Sequence, residues 1–124
     1  MQIRVYYEDT DLGGIVYHSK YLNFCERARS ELFFAAGKKP VYDGYHFVVK
    51  EIEARYRQPA YFGDLLDVET KLLSVRGASV ALKQIVKKKN DVCFEMDITL
   101  VCLKEAKPAK IPPYFLELFD TLRS

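Results

Sequence analysis

The stretch LDVETKLLSVRGASVALKQIVKKKNDVCFEMDITLVCL, residues 66–103, decides the fold. Leu66, Val68, Thr70 and Leu72 recur with a period of two and share one face of a strand over 66–75. Arg76-Gly77-Ala78 turns the chain into a second strand over 79–88. Lys87-Lys88-Lys89, followed by Asn90-Asp91, reads as the next turn, with a phosphate-binding patch as the other reading of the same lysines. A third strand over 92–103 carries Val92, Phe94, Met96, Ile98, Leu100 and Cys102 on one side. Three long strands joined by short turns make an antiparallel meander.

Upstream, residues 46–58 alternate Ile52, Ala54 and Tyr56 with Glu51, Glu53, Arg55 and Arg57, giving one more strand. Before it the period becomes helical. Over 19–36, Tyr21, Cys25, Ala28, Leu32 and Ala35 form one stripe, and Leu22, Glu26, Arg29 and Phe33 form its neighbour. Ser19 is placed to cap the start, and Gly37 with Pro40 beyond it stops the helix. Residues 2–8 read as a short strand, and 112–122, opening Pro112-Pro113, as a closing helix or an irregular cap. The order of strand, helix and four strands predicts an α+β domain spanning 1–124, in which one long helix lies across an antiparallel sheet. One helix leaves part of the sheet uncovered, so dimerisation is expected.

Nineteen Lys and Arg against seventeen Asp and Glu leave a net charge of +2, which makes no global case for nucleic acid. No apolar run approaches the roughly 18 residues that span a bilayer. The opening Met1-Gln2-Ile3-Arg4 leads directly into aromatic sequence and does not read as a signal peptide. Cys25, Cys93 and Cys102 are odd in number and form no CxxC pair, which predicts reduced thiols in a cytoplasmic protein. Cys25 falls on the apolar stripe of the helix and reads as core rather than nucleophile. No GxSxG elbow is present, so serine-hydrolase chemistry is disfavoured.

The chemistry concentrates in Tyr6-Tyr7-Glu8-Asp9-Thr10-Asp11-Leu12-Gly13-Gly14-Ile15-Val16-Tyr17-His18. Three carboxylates, two glycines and a histidine precede a helix whose first N–H groups lack intrahelical partners. Such a helix start polarises a bound carbonyl, and a neighbouring carboxylate serves as general base or nucleophile. Turn formation and capping are the plain alternatives for Glu8 and Asp9. A metal set of Asp9, Asp11 and His18 is the weaker reading, and none is expected. His46 reads as a packing or surface residue. Glu26 reads as a solvated partner of Arg27 or Arg29, or as part of a polar network beside the site. Phe24, Phe33 and Phe34 read as core or as the lining of an apolar channel.

The segment 6–18, continued by Tyr21-Leu22 and Glu26-Arg27-Ala28-Arg29, resembles the hotdog-fold acyl-CoA thioesterases. It is most similar to the YbgC-type branch of the 4-hydroxybenzoyl-CoA thioesterase family, and the similarity runs along nearly the whole chain. The resemblance implies a curved sheet wrapped around one central helix. It also implies Asp11 as the catalytic carboxylate, His18 as an assisting residue and Tyr7 as an aromatic beside them. Backbone N–H groups near Tyr17 and His18 are implied as the oxyanion donors. Arg76 and Ser79 match positions that meet coenzyme A, to which Lys87–Lys89 would add. An acyl-CoA substrate, possibly an acyl carrier protein, no cofactor beyond coenzyme A within the substrate, and homodimers assembling to homotetramers are implied as well. The rivals are a hydratase or dehydratase on the same fold, and a protein that binds acyl thioesters without turning them over.

Overall fold

The computed structural model describes residues 1–123. Its elements are β1 (Gln2–Arg4), a 3-10 helix (Tyr7–Asp9), α1 (Lys20–Ala35), β2 (His46–Tyr56), β3 (Leu65–Arg76), β4 (Ser79–Lys88), β5 (Asp91–Lys104), β6 (Lys107–Pro108) and α2 (Pro113–Asp120). All strands pair antiparallel in the order β1-β3-β4-β5-β2, and β6 adds to β5. The expected meander is β3-β4-β5. Gly77, at φ +57°, makes the tight turn that sets Arg76 opposite Ser79. β2 lies beyond β5, so the chain crosses the whole sheet between β2 and β3.

The inward rows of β3, β4 and β5 pack with α1 into one apolar core. Leu66, Val68, Met96, Ile98, Leu100 and Cys102 lie in it as the alternation predicts. Val92 does not. The register slips between Val86 and Lys87, Cys93 becomes the extra residue and turns inward, and Val92 is left half-buried. β1 is shorter than expected because residues 7–9 wind into the 3-10 helix. The tail is a true helix, which Pro113 starts at a position needing no N–H. Its Phe115 meets Phe47 edge-on, with ring centroids 4.9 Å apart.

Only the first half of α1 is buried. Tyr21, Phe24, Cys25 and Ala28 are buried, whereas Leu32 is half-buried and Ala35 exposed, against the expected stripe. Phe34 is exposed too. The sheet covers the start of the helix and leaves its end open. Ser19 occupies the cap position, but its backbone is already helical (φ −76°, ψ −16°) and its side chain makes no capping bond. Gly37 stops the helix as expected: at φ +67° it donates to the Phe34 carbonyl, and Lys38 N–H donates to that of Phe33.

The three cysteines are free and buried. Burial pushes the Cys25 thiol up to about 12 and raises those of Cys93 and Cys102. The thiolate is the reactive form. Native protein at pH 8 is therefore expected to leave a disulfide reagent such as DTNB unreacted, and to release three equivalents of thiol in denaturant. Rapid titration of one thiol in the native state would contradict this packing.

Candidate active site

Residues 6–18 fold back on themselves. Asp9 is buried, and its carboxylate accepts the Tyr6 N–H at 2.9 Å, while its carbonyl accepts the Tyr17 N–H at 2.9 Å. Thr10 bridges Val16, and Ile15 bridges Tyr61. Val16 N–H donates to the Ala60 carbonyl and Phe62 N–H to that of Gly14, which moors the loop on residues 60–62.

This folding separates the two aspartates. Asp9 points inward as a structural acceptor, away from any shared metal set with Asp11. Among the described residues, no three His, Cys, Asp or Glu side chains converge as metal ligands. Asp11 stays exposed, with its Oδ1 accepting from Gly13 N–H at 2.9 Å and Ile15 N–H at 3.4 Å. A Cβ at Gly13 would stand 3.3 Å from that oxygen, so glycine gives the carboxylate room. The N–H bonds orient the carboxylate through one oxygen. Oδ2 has no partner among the described residues and is free for water or a carbonyl carbon.

The helix start supplies the complementary half. Tyr17 and His18 were both expected to present oxyanion donors, but the Tyr17 N–H is committed to the Asp9 carbonyl. Lys20 N–H holds the Tyr17 carbonyl at 2.9 Å, and the Tyr56 hydroxyl donates to the His18 carbonyl at 2.9 Å. These bonds fix the two peptide planes that carry the His18 and Ser19 N–H groups. Neither N–H has an intrachain acceptor among the described residues and both residues are exposed, so these two N–H groups are available to a ligand. The His18 ring lies against that of Tyr17, with centroids 4.4 Å apart. Tyr7, 79% exposed, stands on the same loop, its ring centroid 6.4 Å from that of Phe62.

Tyr7, Asp11, Tyr17 and His18 all lie on this one folded segment, whereas Arg76 and Ser79 do not. They sit at the far end of the 12-residue β3 from the strand's contact with β1, roughly 35–40 Å along the strand. Lys87 and Lys88 are on the loop's own side but already pair with Glu69 and Asp64, each at 3.0 Å. Lys89 makes the turn at φ +56°. Glu26 forms no ion pair with Arg27 or Arg29 among the described residues. Tyr56 was read only as an alternating strand residue; its hydroxyl gave no sequence signal because its partner is a backbone carbonyl 38 residues away.

Residues 5–119 match the model of the thioesterase-like superfamily. Over 116 residues the chain is 37% identical to the acyl-CoA thioester hydrolase YbgC of Escherichia coli O6:H1, covering 89% of this chain and 87% of that one. It is 35% identical to the acyl-CoA thioesterase YbgC of Helicobacter pylori, over 98% of this chain and all of that one. A probable thioesterase from Bartonella henselae superposes with a TM-score of 0.84 at 31% identity, covering 90% and 97% of the two chains. The chain belongs to the thioesterase-like superfamily and has its hotdog fold. Within that superfamily it is a thioester hydrolase similar to the YbgC branch.

Removing the Tyr56 hydroxyl tests the helix start. Tyr56→Phe keeps the ring edge-on to Tyr21 and Phe94 but frees the His18 carbonyl. A hydrogen bond worth about 0.5–1.5 kcal/mol predicts a fall in kcat of up to roughly tenfold with KM little changed. Unaltered kcat would show that the bond does not orient the donors.

Proposed function

We propose that this protein hydrolyses acyl-CoA thioesters to a free carboxylic acid and coenzyme A through the Asp11–His18 site. The reading is supported by a carboxylate with one unpartnered oxygen and, later on the same segment, two helix-start N–H groups without an intrachain acceptor among the described residues. The thioester carbonyl oxygen would sit on the His18 and Ser19 N–H groups, where negative charge builds as the carbonyl becomes tetrahedral. Asp11 Oδ2 either takes a proton from the attacking water, whose addition expels coenzyme A as its thiol, or attacks the carbonyl carbon itself, expelling the thiolate to leave a mixed anhydride that water then cleaves to the free acid and Asp11. His18 helps position substrate or water, and Tyr7 walls the site. Coenzyme A enters as part of the substrate, and acyl carrier protein would present the same thioester. The free, buried thiols suit the reducing conditions of the cytoplasm. No helix among the described residues is long and apolar enough to cross a membrane.

The working unit is a dimer joined along β2. This strand is a sheet edge, and its Val49, Ile52 and Tyr56 remain exposed although their cross-strand partners Leu100, Ile98 and Phe94 are buried. A long apolar edge of this kind invites pairing. If two copies pair β2 antiparallel about a two-fold axis, the His46 end of one strand meets the Tyr56 end of the other. Tyr56 touches the helix start. His46 pairs Leu103 beside Val101, which itself pairs Ser79. Dimerisation would thereby carry the partner's Arg76 and the partner's Ser79 to the end of the sheet where the first copy's Asp11 stands. That arrangement reconciles their separation within one chain with a role toward coenzyme A. Dimers would pair further into tetramers.

Asp11→Asn retains an Oδ1 acceptor for Gly13 and Ile15 and removes only the charge. Thiol release from an acyl-CoA panel is expected to fall about 10²–10⁴-fold with the fold unchanged. An active Asp11→Asn enzyme would refute the assignment. His18→Ala is expected to cost less, and unchanged kinetics would make His18 structural. Binding without turnover in the parent protein would favour a carrier role, and water addition to an enoyl-CoA a hydratase. For the assembly, Ile52→Arg on the exposed β2 row should yield a folded monomer with little activity in sedimentation and turnover assays. A fully active monomer would contradict the shared site.

A further inference from the structure

A second feature of the molecule is a cavity of about 470 Å³ between the open half of α1, the His46 end of β2 and α2. Its walls are apolar, formed by Phe33, Phe47, Leu82, Leu100, Leu118 and Phe119. The volume falls in the range of about 300–1,000 Å³ typical of small-molecule sites. One cation faces it. Arg29 Nη1 donates to Gln84 Oε1 at 2.7 Å, and the fully buried Gln84 is itself held by bonds from its amide nitrogen to the Cys25 carbonyl (2.9 Å) and Thr70 Oγ1 (3.1 Å). Among the described residues no carboxylate lies within 4.0 Å of Arg29, and four of its five N–H donors keep no protein acceptor. Burial pulls the guanidinium below its ordinary value, while Cys25 and Glu26 push it back. Proteins seldom leave a partly desolvated, rigidly held cation unpaired beside apolar walls without a use for it.

We propose that this cavity is a binding site for an apolar chain bearing a carboxylate, with Arg29 as the anion partner. The chain lies against Phe33, Phe47 and Leu100, and the carboxylate accepts N–H bonds from the free edge of the guanidinium. Such charge-assisted bonds are the strong class, and a planar fork suits a carboxylate. The other titratable groups facing the space are Glu26 and His46. Glu26 stands exposed on the rim, and its negative charge opposes the ligand. The carboxylate has two possible sources. One is a free fatty acid, the product class of the proposed reaction. The other is the far end of an acyl thioester whose chain terminates in a carboxylate. The second source rests on the proposed hydrolase function and the β2 dimer, since the cavity lies at the strand end that pairing would bring beside the partner's helix start.

Titration calorimetry of the whole protein with octanoate and with 1-octanol separates the charge from the chain. Octanoate is expected to bind at least about tenfold more tightly. Arg29→Gln should erase that margin while octanol binding persists, and Glu26→Gln should tighten octanoate alone. Val41→Trp, at an exposed rim position outside the β2 row, should block both probes without touching the Arg29–Gln84 bonds, which keeps the test decisive if Arg29→Gln proves unstable. Equal binding of the two probes, or a margin that survives Arg29→Gln, would overturn the proposal. Turnover of CoA thioesters of equal length ending in methyl or carboxylate then names the source. An Arg29-dependent preference for the carboxylate end assigns it to substrate, and equal rates with octanoate still bound assign it to free acid. The binding arm needs no hydrolysis, so a failure of the hydrolase reading leaves it standing.

Discussion

The loop over residues 6–18 depends on one buried carboxylate. Asp9 lies in the interior, where its polar groups need partners: its carboxylate accepts the Tyr6 N–H and its backbone carbonyl accepts the Tyr17 N–H. Those two bonds draw the ends of the segment together. They force Asp11 outward, where Gly13 and Ile15 orient it, and they remove Tyr17 from the pool of free donors. The loop's geometry therefore follows from where the buried Asp9 finds its partners, and Asp11 inherits its position from that constraint.

The second organising fact is the uneven cover on α1. The sheet buries Tyr21, Phe24, Cys25 and Ala28 and leaves the later turns open. The buried half is rigid and presents a fixed helix start, held by Tyr56 from β2. The open half, with the exposed inner row of β2, leaves apolar surface that a lone chain does not cover. The proposed dimer and the proposed ligand at the Arg29 cavity would be two uses of this one asymmetry, at its edge and at its end. The outer face of the same strands is quiet by comparison. Arg55 there binds Glu53, Glu95 and Asp97, so its charges are mutually satisfied at the surface.

Much of this was legible in the residues. The period-two rows of 66–75 and 92–103 and the Arg76–Ser79 turn define the meander because alternation and a glycine turn are local properties. Gly37 marked the helix end for the same reason. The segment 6–18 was legible as a site by its density of carboxylates and glycines and by its family resemblance. What escaped the reading was non-local. The slip at Cys93 depends on register with β4, the exposure of Ile52 on β2 being a sheet edge, and the choice of donor at the helix start on a bond between Tyr17 and Asp9. Gln84 looked like one polar residue on a strand; only the approach of α1 makes it the clamp that orients Arg29.

The central claim is that the carbonyl of a thioester is received by the His18 and Ser19 N–H groups opposite the free oxygen of Asp11. A crystal structure with a non-hydrolysable acyl-CoA analogue tests it most directly. The account predicts the analogue's carbonyl oxygen within hydrogen-bond distance of those two N–H groups, about 2.7–3.1 Å, with its carbonyl carbon facing Asp11 Oδ2. A carbonyl bound elsewhere, with these donors turned to solvent or to the protein, would contradict it.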